Sequence, residues 1–488
     1  MRESRNDSRK FDTADFRTDD NRLRFQLVFS MIADKLKSQN SLRNNHKLPI
    51  STRHLVHGVL LFAVLNLLSA CQLFVPQRYG QRRAEPLEPE PTVARVESHR
   101  FSIDPDVQMV GRPAVIYSRP GDTLPDIGRH FGLGFNDITQ ANPGVDVWVP
   151  KPESRITLPL QFILPDSPRK GIVLNLPNMR LFYFEASGKN DAMQVLTYPI
   201  GIGREGWSTP TGKAHITQKR ANPSWTVPAS ILREHAADGD PLPRVVKAGP
   251  DNPLGLFALR LSFPSYLIHG TNKPYGVGMR ISHGCVRLYP ENIEPLFNEV
   301  SVGTPVRIIK QPYLIAWHEN MLWLEAHEPL ETKPTNLARI KKNLLKRIAE
   351  EAKKTTTPVD YDKIERVLAK ANGIPTPILK FTQPLDLILT KADIVQHPGN
   401  FYGSPVAPPI KNGDWTAHAG TFSVQSEAET LSRILLHQGP SIPARVQTSP
   451  KGYEVILGPF ASHKEADSTK KRIHREFDLD VAVIEPII

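Results

Sequence analysis

The chain has 488 residues, 40% hydrophobic and 23% charged, which suits about three domains of roughly 150 residues each and excludes a wholly disordered or multi-span membrane protein. Its two cysteines, Cys71 and Cys285, cannot build a disulfide framework, a four-thiolate metal site or a C-x-x-C redox pair. The net charge is +11, but residues 1–70 carry twelve Lys and Arg against seven Asp and Glu; the remainder is mildly basic and lacks the basic and aromatic stripe of a nucleic-acid reader.

Residues 1–50 are polar with little periodicity and read as disordered or as an extended start ahead of Met31. Lys47 and Arg53 then precede a 16-residue apolar run, 55–70, that ends in small residues at Cys71. A membrane-spanning helix needs about 20 apolar residues, so a secretory signal core fits better. Leu68-Ser69-Ala70-Cys71 resembles a bacterial lipobox, which implies lipidation of Cys71, and Gln72 after it favours the periplasmic face of the outer membrane by the same resemblance. Residues 71–113, rich in Pro, Glu and Arg at their start, are expected to be a tether.

Residues 114–160 predict a small βααβ unit: a β-like run from Val115, a turn at Pro120-Gly121, Asp122 or Thr123 as helix cap, and Leu124, Ile127 and Phe131 at helical spacing. A second short helix over 135–140 and a strand over 155–158 complete it. With its P-G-D-T-L phrase this unit resembles a lysin-motif (LysM) domain, which implies binding to the glycan backbone of peptidoglycan. The alternative is a lead-in that packs on the next domain without touching glycan.

Between 168 and 310 short β-like runs dominate, at 171–176, 181–185, 194–200, 213–218, 266–269 and 306–309, punctuated by Gly and Pro. Gly201-Ile202-Gly203-Arg204-Glu205-Gly206 matches G-x-G-x-x-G, but Trp207-Ser208-Thr209-Pro210 follows it where a dinucleotide loop needs a helix, so it reads as a turn. The chemistry concentrates in 266–288, YLIHGTNKPYGVGMRISHGCVRL. A thiol needs an imidazole or other positive potential to become a nucleophile, and His269 and His283 both qualify. Gly284 allows close approach to a substrate carbonyl, with the Gly284 and Cys285 amides as oxyanion donors.

His269 followed by a glycine-rich interval and Ser282-His283-Gly284-Cys285 resembles the L,D-transpeptidase catalytic domain of the YkuD type, with further likeness at Ser208-Thr209-Pro210-Thr211-Gly212 and over 249–255. The resemblance implies Cys285 as nucleophile, attacking the third residue of a peptidoglycan tetrapeptide stem and expelling the terminal D-alanine, and His269 as proton acceptor and donor. It further implies the Gly270 carbonyl as the group orienting His269, His283 in support, Gly284 in the oxyanion hole, and Arg287 with Ser282 toward the substrate. Neither a cofactor nor a metal is expected. The acceptor is left open among a second stem, a lipoprotein, a free D-amino acid and water. A catalytically silent wall anchor or division-site scaffold is one alternative. A zinc peptidase using His269, His283 and Cys285 is another.

Residues 311–395 predict a hairpin around Glu319-Asn320 and two amphipathic helices, 335–352 and 361–371, and 396–414 reads as a linker. In 415–488 an internal repeat recurs after 38 positions: Phe422-x4-Glu427-Ala428-Glu429 and Phe460-x4-Glu465-Ala466-Asp467. Two strand-helix-strand halves give a ferredoxin-like βαββαβ pattern that resembles a SPOR domain, which implies binding to glycan strands. The expected fold class is multidomain α+β: a LysM-like module, a mainly-β YkuD-like catalytic domain and a SPOR-like module.

Overall fold

A computed structural model describes residues 99–185, 193–237, 239, 241–331 and 333–486. Cys71 and the apolar run before it lie outside the described residues, among which no helix is long and apolar enough to cross a membrane.

At the centre is a nine-stranded sheet in the order Arg100–Ile103, Met193–Pro199, Arg180–Phe184, Gly171–Asn175, Pro305–Ile309, Gly212–Ala221, Phe257–Leu261, Leu267–His269 and Val286–Arg287. All six runs expected between 168 and 310 are strands of it. Its middle is buried on both faces, which is why those strands read as continuous apolar runs. Ile172, Leu174, Leu181 and Tyr183 pack into the catalytic core. Val173, Phe182, Phe184 and Val195 point the other way, into a core shared with residues 103–164. Each such side chain contributes about 1.5–3 kcal/mol by leaving water.

That second core belongs to the βααβ unit. Ala114–Tyr117 pairs antiparallel with Arg155–Leu158, and the helices Leu124–His130 and Phe135–Ala141 lie between them in sequence. Thr123 caps the first helix by accepting from the Asp126 N–H. The apolar stripe foreseen there, Leu124, Ile127 and Phe131, is buried.

Two connector readings need correction. The tether cannot run to residue 113, because Arg100–Ile103 is the edge strand of the central sheet and Met109–Gly111 pairs with Gln161–Ile163. The segment 396–414 lacks regular structure but is pinned: Phe401 is buried in the shared core, and the Gly403 carbonyl lies 3.1 Å from Tyr275 Oη. Its composition showed the absence of periodicity, whereas its anchors lie in distant sequence.

The extension is a hairpin, Tyr313–His318 with Met321–Ala326, turning at Glu319 and Asn320 in positive φ. The helices Pro334–Ala352 and Tyr361–Lys370 pack on it through Leu344, Ile348, Ile364 and Val367. At the C-terminus, Ala444–Ser449, Gly452–Phe460, Trp415–Phe422 and Ala482–Ile484 form a four-stranded sheet carrying the helices Gln425–Leu436 and His463–Phe477. The repeated alanines, Ala428 and Ala466, are fully buried where each helix meets the sheet, together with Leu431, Leu435 and Ile473. Trp148 of the βααβ unit is buried in this same core.

Candidate active site

The strand Leu267–His269 runs parallel to Val286–Arg287, pairing Ile268 with Val286 and His269 with Arg287. Carried back one residue, that register sets Cys285 beside Leu267. His269 and Cys285 are thus set on adjoining positions of a sheet edge, with the loop 270–279 and the short strand Arg280–Ser282 making the excursion between them.

His269 is buried, and its Nδ1–H donates to the Gly270 carbonyl at 2.6 Å, leaving Nε2 as the proton-accepting nitrogen. The carbonyl expected to orient the ring is the one that does so. Burial, then the Arg287 charge, push its pKa down to about 3, while the Gly270 and Leu254 carbonyls act in the opposite sense. The half-buried Cys285 thiol lies 3.7 Å from the Ser265 carbonyl. Burial pushes its pKa up, against the Leu267 N–H and the guanidinium groups of Arg287 and Arg260. Both shifts favour the uncharged form, imidazole at His269 and thiol at Cys285.

Arg287 is half-buried, and its buried Nε lacks an acceptor among the described residues. Its backbone is held on both sides, by His269 and by reciprocal hydrogen bonds with Gly201 of 2.8 and 2.9 Å.

Two assignments change. The Ser282 side chain is buried and belongs to the turn: its Oγ donates to the Cys285 carbonyl at 2.6 Å and accepts from the Gly284 N–H at 3.2 Å. Ser282 is therefore a staple of the nucleophile loop and not a substrate contact. The same bond turns the Gly284 amide away from an oxyanion, so the glycine matters for its φ of +101°. A Cβ there would lie 2.9 Å from Tyr266 Cε1.

His283 faces away from the sheet, toward the insertion 222–256. Its Nε2–H donates to Glu234 Oε2 at 3.0 Å, Trp207 packs edge-on at 5.0 Å, and Arg204 forms an ion pair with Glu234. Burial, then Arg204, lower the His283 pKa while Glu234 raises it. Among the described residues no three His, Cys, Asp or Glu side chains converge as a metal ion would require, so the zinc arrangement of His269, His283 and Cys285 is not built.

Sequence reasoning missed Glu234, Arg204, Trp207 and Thr209 as members of this site. Thr209 Oγ1 donates to the Gly284 carbonyl at 2.9 Å and accepts from the Gly203 N–H at 3.0 Å. A Cβ on Gly203 would stand 2.0 Å from the Trp207 carbonyl and 2.9 Å from Gly284 Cα. The turn expected over 201–206 is confined to Glu205-Gly206: Ile202–Gly203 is a short strand paired with Arg280–Ser282, and its glycine lets two backbones close beside Gly284. The S-T-P-T-G phrase containing Thr209 was the available signal.

Residues 169–308 match the model of the L,D-transpeptidase catalytic domain, and 411–484 match the SPOR domain. The chain is 40% identical to the probable L,D-transpeptidase YcfS of Escherichia coli K12 over 268 residues, covering 54% of this chain and 82% of that protein. This chain belongs to the L,D-transpeptidase family. It is also 38% identical to the probable L,D-transpeptidase ErfK/SrfK of Salmonella typhimurium, over 56% of this chain and 88% of that protein, and 42% identical to YbiS of Escherichia coli K12, over 46% and 73%. As an L,D-transpeptidase it is an acyltransferase, and its two matched domains are both of the peptidoglycan-associated kind.

Proposed function

We propose that this L,D-transpeptidase acts on tetrapeptide stems of peptidoglycan through a Cys285 thioester. The observation that carries the reading is His269, whose Nδ1–H is held by the Gly270 carbonyl, on the strand parallel to the one that starts directly after Cys285. Nε2 takes the thiol proton as sulfur attacks the carbonyl of the third stem residue. The Cys285 amide faces the resulting oxyanion, in place of the Gly284 amide. Collapse breaks the bond to D-alanine, whose amine leaves with the proton from His269. An acceptor amine then gives its proton to His269, attacks the thioester and releases the sulfur.

The Arg287 charge is the second cause, after burial, that holds the His269 pKa down; a substrate carboxylate bound to Arg287 offsets that part when the donor is in place. The acceptor forms a cross-link or attaches another amine to the wall.

The LysM-like unit is read as a second glycan-facing module beside the SPOR domain. Cys71 is read as the lipidated residue holding the protein to the periplasmic face of the outer membrane. Stem peptides, glycan strands and, as acceptor or organiser, a lipoprotein or the division machinery are the proposed partners.

The test is release of D-alanine from a disaccharide-tetrapeptide by the purified chain, with muropeptide profiles from cells. Wild type should release it and Cys285→Ala should not. Identical muropeptides with Cys285→Ala in place would remove the enzymatic claim.

A further inference from the structure

The loop from His269 to the nucleophile strand, residues 270–279, is held by modules that are not catalytic. Gly278, at φ +83°, crosses Gly134 so closely that a Cβ on Gly134 would lie 2.6 Å from Gly278 Cα. At that crossing the Phe135 and Asn136 amides donate to the Val277 and Gly278 carbonyls at 3.0 and 3.3 Å. These bonds satisfy donors that the second helix of the βααβ unit leaves open.

The other side of the loop meets the SPOR domain. Tyr275 Oη donates to Asp126 Oδ1 at 2.9 Å, and His437, at the end of the first SPOR helix, reaches Asp126 Oδ2 with Nε2 at 3.0 Å. The His437 ring packs edge-on against Tyr275 at 4.3 Å and against Trp148 at 5.2 Å, and its Nδ1 lies 2.7 Å from the Arg433 carbonyl. Asp126 also accepts from Thr123 Oγ1 at 2.8 Å, so one carboxylate, 3% exposed, ties three modules together. Burial disfavours its charge, but His437 and the hydroxyl donors outweigh that and hold it below its ordinary range. Two residues on, Gly439 presses on the loop itself: a Cβ there would lie 2.5 Å from the Asn272 carbonyl. A buried charged network of this kind fixes geometry more than it adds stability.

We propose that Asp126, Tyr275 and His437 are positioning residues for the transpeptidase reaction, through which the docked SPOR domain sets the geometry of the loop joining His269 to Cys285. The proposal rests on Cys285 and His269 being the reacting pair. In it, the C-terminal domain is a working part of the catalytic unit, and a glycan that pulls it from its seat changes turnover.

The test compares full-length wild type, His437→Ala, His437→Gln and Tyr275→Phe. Three readouts are followed: D-alanine release, hydrogen exchange of amides 271–279, and alkylation of Cys285 by iodoacetamide quantified on its own peptide. Small displacements of reacting groups cost up to about a hundredfold in rate. His437→Ala is therefore expected to lower kcat about tenfold with donor KM within twofold, to speed exchange in 271–279, and to change the alkylation rate at least threefold. The Gln side chain can still donate to Asp126, so His437→Gln should regain much of the loss. Tyr275→Phe, which keeps the ring, should behave like His437→Ala and serves if that variant does not fold. Faster loop exchange with kcat and alkylation both unchanged would overturn the proposal, as would no change in any readout. Because alkylation and exchange need no substrate, a chain without turnover in which His437→Ala still alters alkylation would refute the substrate reading and leave the clamp standing.

Discussion

Replacing Gly284 with alanine tests the nucleophile loop most directly. At φ +101° an L side chain costs about 1–3 kcal/mol. The new methyl would also sit 2.9 Å from Tyr266 Cε1 and 3.3 Å from the Trp207 carbonyl. Tyr266 is half-buried and its ring can swing, whereas the Trp207 carbonyl belongs to the backbone that also closes on Gly203. Strain of that size lowers the melting temperature by roughly 2–12 °C at 2–4 °C per kcal/mol. The larger effect should be on rate, because relief comes from moving the residue next to Cys285, and a shift of about 1 Å costs about a hundredfold. D-alanine release and thermal unfolding on the same preparation measure both. Combining Gly284→Ala with Tyr266→Ala removes the ring contact and leaves φ untouched, so only a minor part of the rate should return. A Gly284→Ala protein turning over within threefold of wild type would refute the claim that this φ positions the thiol.

Three other expectations follow from the same geometry. Arg129 and Glu291 form a bidentate pair, each side chain at least 90% buried, between the βααβ unit and the catalytic domain. Removing one partner, as in Arg129→Met, should cost about 3–5 kcal/mol in urea unfolding, and a loss under 1 kcal/mol would deny the interface its role. Arg287→Met should raise the donor KM and move the acid limb of the kcat/KM profile to higher pH, because the charge that depresses His269 is gone; an unmoved limb separates the two residues. At Glu234 burial disfavours the charge, but Arg204 and His283 hold the carboxyl below its ordinary 4.5. Stability from this pair is complete above 4.5 and lost as pH falls through the lowered value. Urea midpoints between pH 6 and 3 should show that loss in wild type and not in Glu234→Gln.

Much of the fold was legible because it is local. Six of the nine strands of the central sheet and the capped helix after Thr123 follow from spacing within a dozen residues, and the buried Ala428 and Ala466 from a repeat of 38. The candidate nucleophile and its imidazole were legible for a related reason: they lie 16 positions apart, at the two ends of one excursion between adjoining strands. Residue types alone misassigned Ser282 and the Gly284 amide, since a hydroxyl beside a nucleophile serves substrate or turn according to where its rotamer points. Glu234 carried no signal, being an ordinary acid on a helix 49 residues before His283.

By itself the sequence determined the catalytic family, the SPOR domain after it and the Gly270 carbonyl beside the His269 ring, and it named His269 and Cys285 as the candidate pair. Tertiary structure alone decided that the modules share cores. Val173 and Phe182 bury one face of the catalytic sheet under the βααβ unit, Trp148 enters the SPOR core, and Asp126 gathers Tyr275 and His437. Periodicity reports which face of an element is apolar, but the identity of what covers that face depends on packing between residues hundreds of positions apart.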